Sequence, residues 1–315
     1  MTLPLQKTLL LRANDAGFFS NLNCVLSHLR YSLGRRGIAA IIVEWRASPY
    51  LSHFPYGRRS DGNLWLHFFE VLAFDRRPSQ MEETRRFART SMTARRAYAM
   101  YKFDFTWRQV YGHLYQRYIR VKPEIQARAD AVHQTAMAGH YRVGVHCRHP
   151  RHDTECLHRS PSLARYVATV RALLPANGSW VVFLASDYEP AVGAFRSAFG
   201  ERLVMQPGVR RALTAGDEQM HHGNSTPGVE LGEQVLIDAL LLARCDAFVH
   251  VTSNLATAVG YMNPKSRMVY CETKFQALQG YLWSLYQFTP LARIRGRLVQ
   301  HARLRRERQS TQQAR

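Results

Sequence analysis

The chain has 315 residues, of which 46% are hydrophobic and 21% are charged, and its formal net charge is +20. This apolar content is sufficient for a proper core, which excludes a largely disordered chain and fits one or two domains. The charge favours polyanionic partners, namely nucleic acid, an anionic membrane face or phosphorylated ligands.

The sequence contains no apolar run as long as a membrane span and no charged leader followed by an apolar block. The five cysteines form no C-x-x-C pair, and most of them stand among apolar neighbours. We therefore expect free, buried thiols in a reducing compartment. These patterns predict a cytoplasmic protein that can lie peripherally at the inner membrane.

The chain begins with a strand, helix and strand pattern. Residues 8–12 are an apolar run, residues 18–36 show a helical period, and residues 38–45 are apolar enough for a buried strand. Such a βαβ unit implies a parallel pair of strands.

A basic region follows the βαβ unit. Residues 76–128 contain 13 Lys or Arg and four acidic residues, with recurring aromatic side chains, and are predicted to form helices with basic outer faces. A further helix is expected from Pro123 to about His140.

Short apolar runs alternate with helical patterns after residue 141, which predicts a second α/β series. Strands are expected at 142–147, 180–185, 202–205, 247–251 and 267–270, and helices at 162–174, 190–199, 229–244 and 254–262. The prediction is therefore an α/β fold with two Rossmann-like domains facing each other across a cleft. We place the domains at 1–140 and 141–290, followed by a basic tail at 291–315, and predict that residues 206–227 form a loop over the site.

The clearest chemical signal lies in residues 141–158, where an apolar strand runs into a cluster of cationic and imidazole side chains: His146, Arg148, His149, Arg151, His152 and His158. His146 and Arg148 are two residues apart and so project to the same face. An arginine there can donate two hydrogen bonds to one phosphate. The cluster favours a phosphate or diphosphate at the carboxyl end of a strand, and the alternative is a surface arginine beside a core histidine.

The same segment could instead bind a metal through His146, Cys147, His149, His152, Cys156 and His158. No spacing matches a zinc module, and Cys147 should point away from His146. The chain also lacks an Asp-x-Asp pair, which a divalent cation bridging a diphosphate would usually require. We therefore predict that the site contains no metal.

Polar residues also follow other predicted strands. Asp187 could accept a hydrogen bond from a ribose hydroxyl, hold a neighbouring loop or cap the next helix. Ser253 and Asn254 open a helix, whose N-terminal amides suit a phosphate, although plain capping would use the same serine.

Two acidic residues have less usual surroundings. Asp238 lies in the seam of an apolar helix, where a carboxylate needs a partner. That partner could be the N1/N2 edge of a guanine, a guanidinium or a structural ion pair. Glu155 lies within the basic cluster, where it could take a proton from an acceptor hydroxyl or form a salt bridge.

Three blocks resemble the GDP-fucose-dependent fucosyltransferases of the nodulation and core α-1,6 types, and more distantly the protein O-fucosyltransferases. They are DAGFFSNLNCVLSHLRY (15–31), GVHCRHPRHDTE (144–155) and GEQVLIDALLLARCDAFVHVTSNLATAVGYMNP (232–264), with a weaker fourth block, NLWLHFFE (63–70). The resemblance implies a GT-B-like fold and GDP-fucose as the donor substrate, with no cofactor.

The resemblance also implies roles for individual residues. Arg148 matches the arginine that binds the β-phosphate, His146 and Asp238 match the pair that contacts guanine, and Ser253 matches the phosphate-side serine. Glu155 resembles the proposed base, although one residue fewer separates it from the histidine. Further donor-site positions implied in this way are Gly17, Asn21, His149, Asp187 and Asn254, of which His149 stands where core-type enzymes have a second arginine.

The function expected from the residues and the resemblance together is inverting, metal-independent transfer of fucose from GDP-fucose to a glycan hydroxyl, in α-1,6 linkage. The acceptor would be a glycan or a lipid-linked saccharide, with contact to anionic membrane through the basic regions. The alternatives are a non-catalytic protein that binds a sugar nucleotide or glycan, and a nucleic-acid-binding protein, although we do not expect nucleic acid as a partner.

Overall fold

The computed structural model describes residues 7–13, 17–33, 38–45, 63–74, 105–150, 161–209, 211–213, 228–251 and 253–271. The basic segment before residue 105 and the basic tail lie outside these ranges.

The N-terminal part contains the predicted βαβ unit. Strands β1 (Lys7–Arg12) and β2 (Ile38–Glu44) pair in parallel, and helix α1 (Phe18–Leu33) connects them. Leu22, Leu26 and other apolar residues at helical spacing bury one face of α1. Because the same face carries the apolar period of the sequence, the predicted strand, helix and parallel strand are confirmed.

Aromatic side chains pack the N-terminal part beside the short helix α2 (Trp65–Phe68). The ring of Phe18 meets those of Trp45 and Phe68 edge-on, with centroids 5.5 Å and 5.0 Å away. Trp45 meets Trp65 in the same way at 5.2 Å. Edge-to-face pairs add about 0.5–1.5 kcal/mol each to the burial of their area, so this cluster fixes α1 against α2 and β2.

Two helices lead to the second sheet, α3 (Phe105–Tyr118) and α4 (Pro123–Ala136). Pro123 occupies the first turn of α4, where its missing N–H costs no helical hydrogen bond. The predicted end near His140 is wrong by about four residues. Gly139 has φ +77°, a left-handed backbone conformation that ends the turn before the next strand begins.

The second sheet has five parallel strands in the order β5-β4-β3-β6-β7. They are β3 (Tyr141–Cys147), β4 (Trp180–Ser186), β5 (Leu203–Val204), β6 (Ala247–His250) and β7 (Arg267–Tyr270). Strands β4 and β6 are almost entirely buried and β3 is buried in its middle, as their apolar runs predict. The sheet is therefore doubly wound, with β3 and β6 at its centre.

Four helices connect these strands: α5 (Leu163–Arg171), α6 (Glu189–Phe199), α7 (Gly228–Leu242) and α8 (Asn254–Met262). Ser162 caps α5, since its Oγ accepts a hydrogen bond from the Arg165 amide at 3.3 Å. β5 is only two residues long, shorter than predicted, because the 3-10 turn Gly200–Arg202 occupies its expected start.

Ion pairs tie the amino-terminal edge of this sheet together. Arg142 donates to both carboxylate oxygens of Asp246, at 3.0 Å from Nε and 2.9 Å from Nη2, and its amide donates to Oδ2 at 2.8 Å. Its Nη1 lies 3.0 Å from His133 Nε2 on α4. Arg244, after α7, pairs with Asp130 on α4. These contacts join α4 to the start of β3 and to the turn before β6.

One apolar core runs from the βαβ unit into the second sheet, through α1, α2, α3, α7 and α8. Two elements approach closely at Gly232 of α7, where an added Cβ would overlap the ring of Phe68. Tyr111 of α3 stacks on Tyr261 of α8, with centroids 4.8 Å apart. The α/β class with parallel sheets is confirmed, whereas the cleft between two Rossmann-like domains and the domain boundaries stay predictions.

The cysteine prediction is confirmed only in part. Cys147, Cys245 and Cys271 are buried free thiols, but Cys24 is exposed on α1, and Cys156 lies outside the described ranges. None of the helices in the described ranges is both long enough and apolar enough to cross a bilayer.

Candidate functional site

The carboxyl ends of β3 and β6 meet at the centre of the five-stranded sheet. From β3 the chain crosses through α5 to β4 on one side, and from β6 it crosses through α8 to β7 on the other. Where neighbouring connections diverge in this way, an open parallel sheet leaves a crevice at its carboxyl edge. The topology therefore predicts a ligand beside the residues that follow these two strands.

His146 and Ser253 come into contact at this edge. Ser253 caps α8, with its Oγ accepting a hydrogen bond from the Ala256 amide at 3.0 Å and lying 3.4 Å from His146 Nδ1. A hydroxyl that accepts one hydrogen bond still has a proton to donate. A neutral His146 can accept this hydrogen bond at Nδ1, and its own ring proton is then on Nε2.

Two cationic features follow strands that end at this edge. Arg148 is half-buried directly after β3, and the nine-residue helix α8 begins at Asn254, after β6. The first amides of a helix carry a partial positive charge and lack partners within the helix. Arg148 and the amino end of α8 therefore form a pair of features suited to a phosphate group.

Asp187 follows β4 at the same edge and holds the turn after β3. Its Oδ1 accepts a hydrogen bond from the His149 amide at 3.1 Å. The His149 ring is fully buried and meets Tyr188 edge-on, with centroids 5.1 Å apart. Of the roles considered for Asp187, these contacts favour that of holding a neighbouring loop, and the expected donor contacts of both residues stay predictions.

Asp238 is buried in α7, as its place in the apolar seam predicts; 9% of it is exposed. Burial raises the pKa of Asp238 to about 7, although the positive charge of Arg211 lowers it and the negative charge of Asp187 raises it further. A carboxylate held this close to neutral titration can change its hydrogen-bonding role when a ligand binds. Arg211 and Asp187 are therefore the charged groups that act on Asp238 in opposite directions.

The N-terminal candidates lie at the start of α1, next to α8. Asn21 is buried and its Nδ2 donates to the Gly17 carbonyl at 3.4 Å, within the first turn of the helix. Asn23 donates from Nδ2 to the carbonyl of Asn254 at 3.0 Å. Asn23 thus connects the βαβ unit to the first residue of the helix that faces the crevice.

Sequence reasoning missed two residues of this region, Asn23 and Arg211. Asn23 could have been found from the sequence, because it is a polar residue on the apolar, buried face of α1. Arg211 could not, since it stands in a segment without periodicity that was predicted only to cover the site.

Some of the predicted site cannot be located. Glu155, the candidate base, lies outside the described ranges, as do His152, Cys156 and His158 of the metal alternative. Among the residues that are described, no group of three or more His, Cys, Asp or Glu side chains could hold a metal ion.

Comparison with known proteins finds similarity only in structure. No protein-family profile and no curated protein sequence matches the chain. The fucosyltransferase NodZ from Bradyrhizobium is 21% identical with a TM-score of 0.51, over 82% of this chain and 92% of that one. An α-1,6-fucosyltransferase NodZ structure soaked with GDP-fucose is 19% identical with a TM-score of 0.51, over 82% and 93% of the two chains. A NodZ structure co-crystallised with GDP is 20% identical, also with a TM-score of 0.51, over 82% and 91%.

These structural neighbours are of the nodulation type that the sequence motifs resemble, which confirms that prediction at the level of the fold. At 19–21% identity the similarity concerns the fold alone, so each residue role rests on its own geometry. The chain has the fold of the NodZ fucosyltransferases.

Proposed function

We propose that the protein is a glycosyltransferase that transfers fucose from GDP-fucose to a hydroxyl of a glycan acceptor, with inversion and without a metal. The observation that carries the proposal is the contact of His146 with Ser253, the cap of α8, at the edge of the sheet where Arg148 follows β3. The fold shared with structures that were soaked with GDP-fucose or crystallised with GDP supports the choice of donor.

The geometry supports a division of the donor between two sides of the crevice. The diphosphate would lie between Arg148 and the amides that begin α8, and these positive groups would stabilise the charge that develops as GDP leaves. The guanine would face His146 and Asp238, because an ionised carboxylate can accept hydrogen bonds from the N1–H and N2–H groups of that base.

The chemical step then requires little from the protein beyond position and charge. An acceptor hydroxyl attacks the anomeric carbon from the face opposite to GDP, so its C–O bond forms as the bond to the diphosphate oxygen breaks. Glu155 would take the hydroxyl proton. The proposed acceptor is a glycan or a lipid-linked saccharide, with the α-1,6 linkage named for NodZ as the first linkage to test.

Calorimetry with GDP-fucose, GDP-mannose, a UDP-sugar and an ADP-sugar tests the donor and the role of Arg148. We expect wild-type protein to bind GDP-fucose, and Arg148→Ala to weaken binding by about 2–4 kcal/mol, as for removal of one side of a buried charged pair. Arg171→Ala, at the exposed end of α5, is the matched control and should bind like wild type. Unchanged affinity in Arg148→Ala would refute the phosphate role.

Transfer assays on the same proteins separate an enzyme from a silent binding protein. Glu155→Gln should bind GDP-fucose normally and lose fucose transfer, because an amide cannot accept the hydroxyl proton. A wild-type protein that binds GDP-fucose but never releases GDP would support the non-catalytic alternative.

The proposed contact with anionic membrane rests on the net charge of +20. Flotation with vesicles that contain anionic lipid should recover the protein at low salt and lose it at high salt. Absence of salt-sensitive flotation would remove this part of the proposal.

A further inference from the structure

Asn23 is a polar residue on the buried face of α1. It is 2% exposed, and its neighbours at helical spacing, Phe19 and Leu26, are buried and apolar. Asparagine is a weak helix former, and a buried amide is costly unless its polar atoms are hydrogen-bonded. The packing of α1 by itself therefore favours an apolar residue at this position.

The two polar atoms of the Asn23 side chain have different surroundings. Nδ2 donates to the carbonyl of Asn254, the first residue of α8, at 3.0 Å. Oδ1 is buried, and no described residue donates a hydrogen bond to it. The side chain is therefore satisfied where it contacts α8 and unsatisfied elsewhere, so this contact comes with a loss of stability for the fold.

Helix α8 is enclosed along its length and more exposed at its amino end. The residues from Leu255 to Tyr261 are all buried, whereas Ser253 and Asn254 are half-buried. The first turn contains no acidic side chain that could balance the partial positive charge of the helix end. Ser253 Oγ accepts a hydrogen bond from the Ala256 amide, but the amides of Asn254 and Leu255 have no acceptor inside the helix. An anion at this end must therefore come from outside α8.

The hydrogen bond from Asn23 falls on one peptide group at this end of α8. The carbonyl of Asn254 and the amide of Leu255 belong to the same planar unit, so a hydrogen bond to the oxygen also fixes the direction of the N–H. In an α-helix that N–H points along the axis toward the amino end, which here lies at the crevice. A hydrogen bond accepted by a peptide carbonyl also polarises the group, which makes its N–H a stronger donor. Asn23 thus acts on an amide whose acceptor must lie outside the helix.

We propose that Asn23 is a positioning residue of the phosphate subsite, which fixes and polarises the peptide between Asn254 and Leu255 so that the Leu255 amide donates to a phosphate oxygen. This inference rests on the proposed function and deepens it, since it makes diphosphate binding depend on a residue of the N-terminal βαβ unit. It also gives a reason for the buried asparagine, because an apolar side chain could fill the same space but could not hold the peptide.

Nucleotide binding by Asn23→Leu tests this role. Leucine branches at the same carbon as asparagine but has no donor, and the Asn254 carbonyl keeps its hydrogen bond within the helix. We expect calorimetry to show GDP affinity reduced about three- to tenfold, because the Leu255 amide stays in place but loses its support. Guanosine, measured by displacement of GDP, should bind as it does to wild type, and the midpoint of urea unfolding should be unchanged or higher.

Ser27→Ala is the matched control on the same helix. The Ser27 hydroxyl donates to the Asn23 carbonyl at 2.9 Å, so its removal perturbs α1 beside Asn23 but keeps the contact with α8, and GDP should bind as it does to wild type. Unchanged GDP affinity in Asn23→Leu would overturn the proposal. Equal losses of GDP and guanosine affinity would also overturn it, since they indicate a displaced helix rather than a weakened phosphate contact. Absence of GDP binding by wild type would instead overturn the proposed function, and the role of Asn23 with it.

A measurement on wild-type protein covers the case in which Asn23→Leu does not fold. In isotope-labelled protein, the magnetic resonance signal of the Leu255 amide proton should move downfield when GDP is added, because a charged acceptor forms a short, strong hydrogen bond. The same signal should stay in place when guanosine is added. A Leu255 signal that does not respond to GDP, in protein that binds GDP, would overturn the inference.

Discussion

At the two edges of the five-stranded sheet, the pKa values of two aspartates are shifted in opposite directions. At the amino edge, Asp246 meets Arg142 through two side-chain hydrogen bonds and one backbone hydrogen bond. Burial works against its charged form, but the hydrogen bonds and charge of Arg142 lower the pKa of Asp246 below its usual range. At the carboxyl edge, burial dominates and raises the pKa of Asp238 to about 7, despite the charge of Arg211.

The difference bears on how much each edge contributes to the stability of the fold. A carboxylate with a lowered pKa stabilises the folded state when it is ionised, whereas one with a raised pKa destabilises it. The amino edge thus contributes to holding α4, β3 and β6 together. The carboxyl edge keeps a buried carboxylate with a raised pKa, a pattern that is common at functional sites.

Asp238→Asn should give the largest change in the free energy of unfolding. Absence of that change would contradict the comparison of the two edges. The folded state holds a proton on Asp238 up to about pH 7, while the unfolded chain releases it near 3.8, so wild type loses stability as the pH rises from about 4 through 7. Because asparagine does not ionise, the variant should be more stable than wild type at pH 8, by on the order of 3 kcal/mol. Urea unfolding at pH 8 and pH 4 measures this gain, which should disappear at the lower pH.

The control for that gain is GDP affinity, which the same substitution should abolish. Equal stability of Asp238→Asn and wild type at pH 8 would mean that the ionised carboxylate is already satisfied in the folded protein. The two edges would then not differ in the way described.

Arg142→Met should lower the free energy of unfolding, by less than Asp238→Asn raises it. It removes a two-pronged pair in which the Arg142 and Asp246 side chains are 24% and 36% exposed. Solvent screening limits the loss, so we expect destabilisation by about 1–2 kcal/mol at pH 7, with GDP affinity unchanged. Arg171→Met on the exposed end of α5 is the matched control, with an expected change below about 0.5 kcal/mol. A loss of GDP affinity in Arg142→Met would show that the two edges are coupled.

The pH dependence of the amino edge sharpens this measurement. Burial, with the charges of Arg244 and Arg142, lowers the pKa of His133, although Asp130 acts in the opposite direction. The unfolded chain therefore takes up this proton first, and stability falls as the pH drops below about 6.5. In Arg142→Met this decline should become shallower by a few tenths of a kcal/mol, since one of the two opposing cations is gone.

Most of the fold could be predicted because the apolar periods of the sequence are strong. β3, β6 and α8 begin or end within about one residue of their predicted limits. The meeting of His146 with Ser253 follows from those limits, since both residues come at the carboxyl ends of strands that are neighbours in a doubly wound sheet. The burial of Asp238 followed from its spacing with Leu231, Val235 and Leu242.

The parts that could not be predicted depend on contacts between segments distant in sequence. Arg211 stands beside a backbone bridge between Ala212 and Tyr188 that no local pattern encodes. Asn23 reaches Asn254 only because α1 packs against α8. The end of α4 depends on the left-handed conformation of Gly139, which cannot be read from a helical period of apolar residues.

The contact of Gly232 with Phe68 has a consequence for how the crevice can open. That glycine lets α7 lie directly against the aromatic cluster, inside an apolar core that continues from the βαβ unit into the second sheet. A rigid-body rotation of one half against the other would expose these rings to water, at about 25 cal/mol for each Å² uncovered. Entry and exit of a ligand would then depend on rotamer changes and short turns at the crevice rather than on a hinge between the halves.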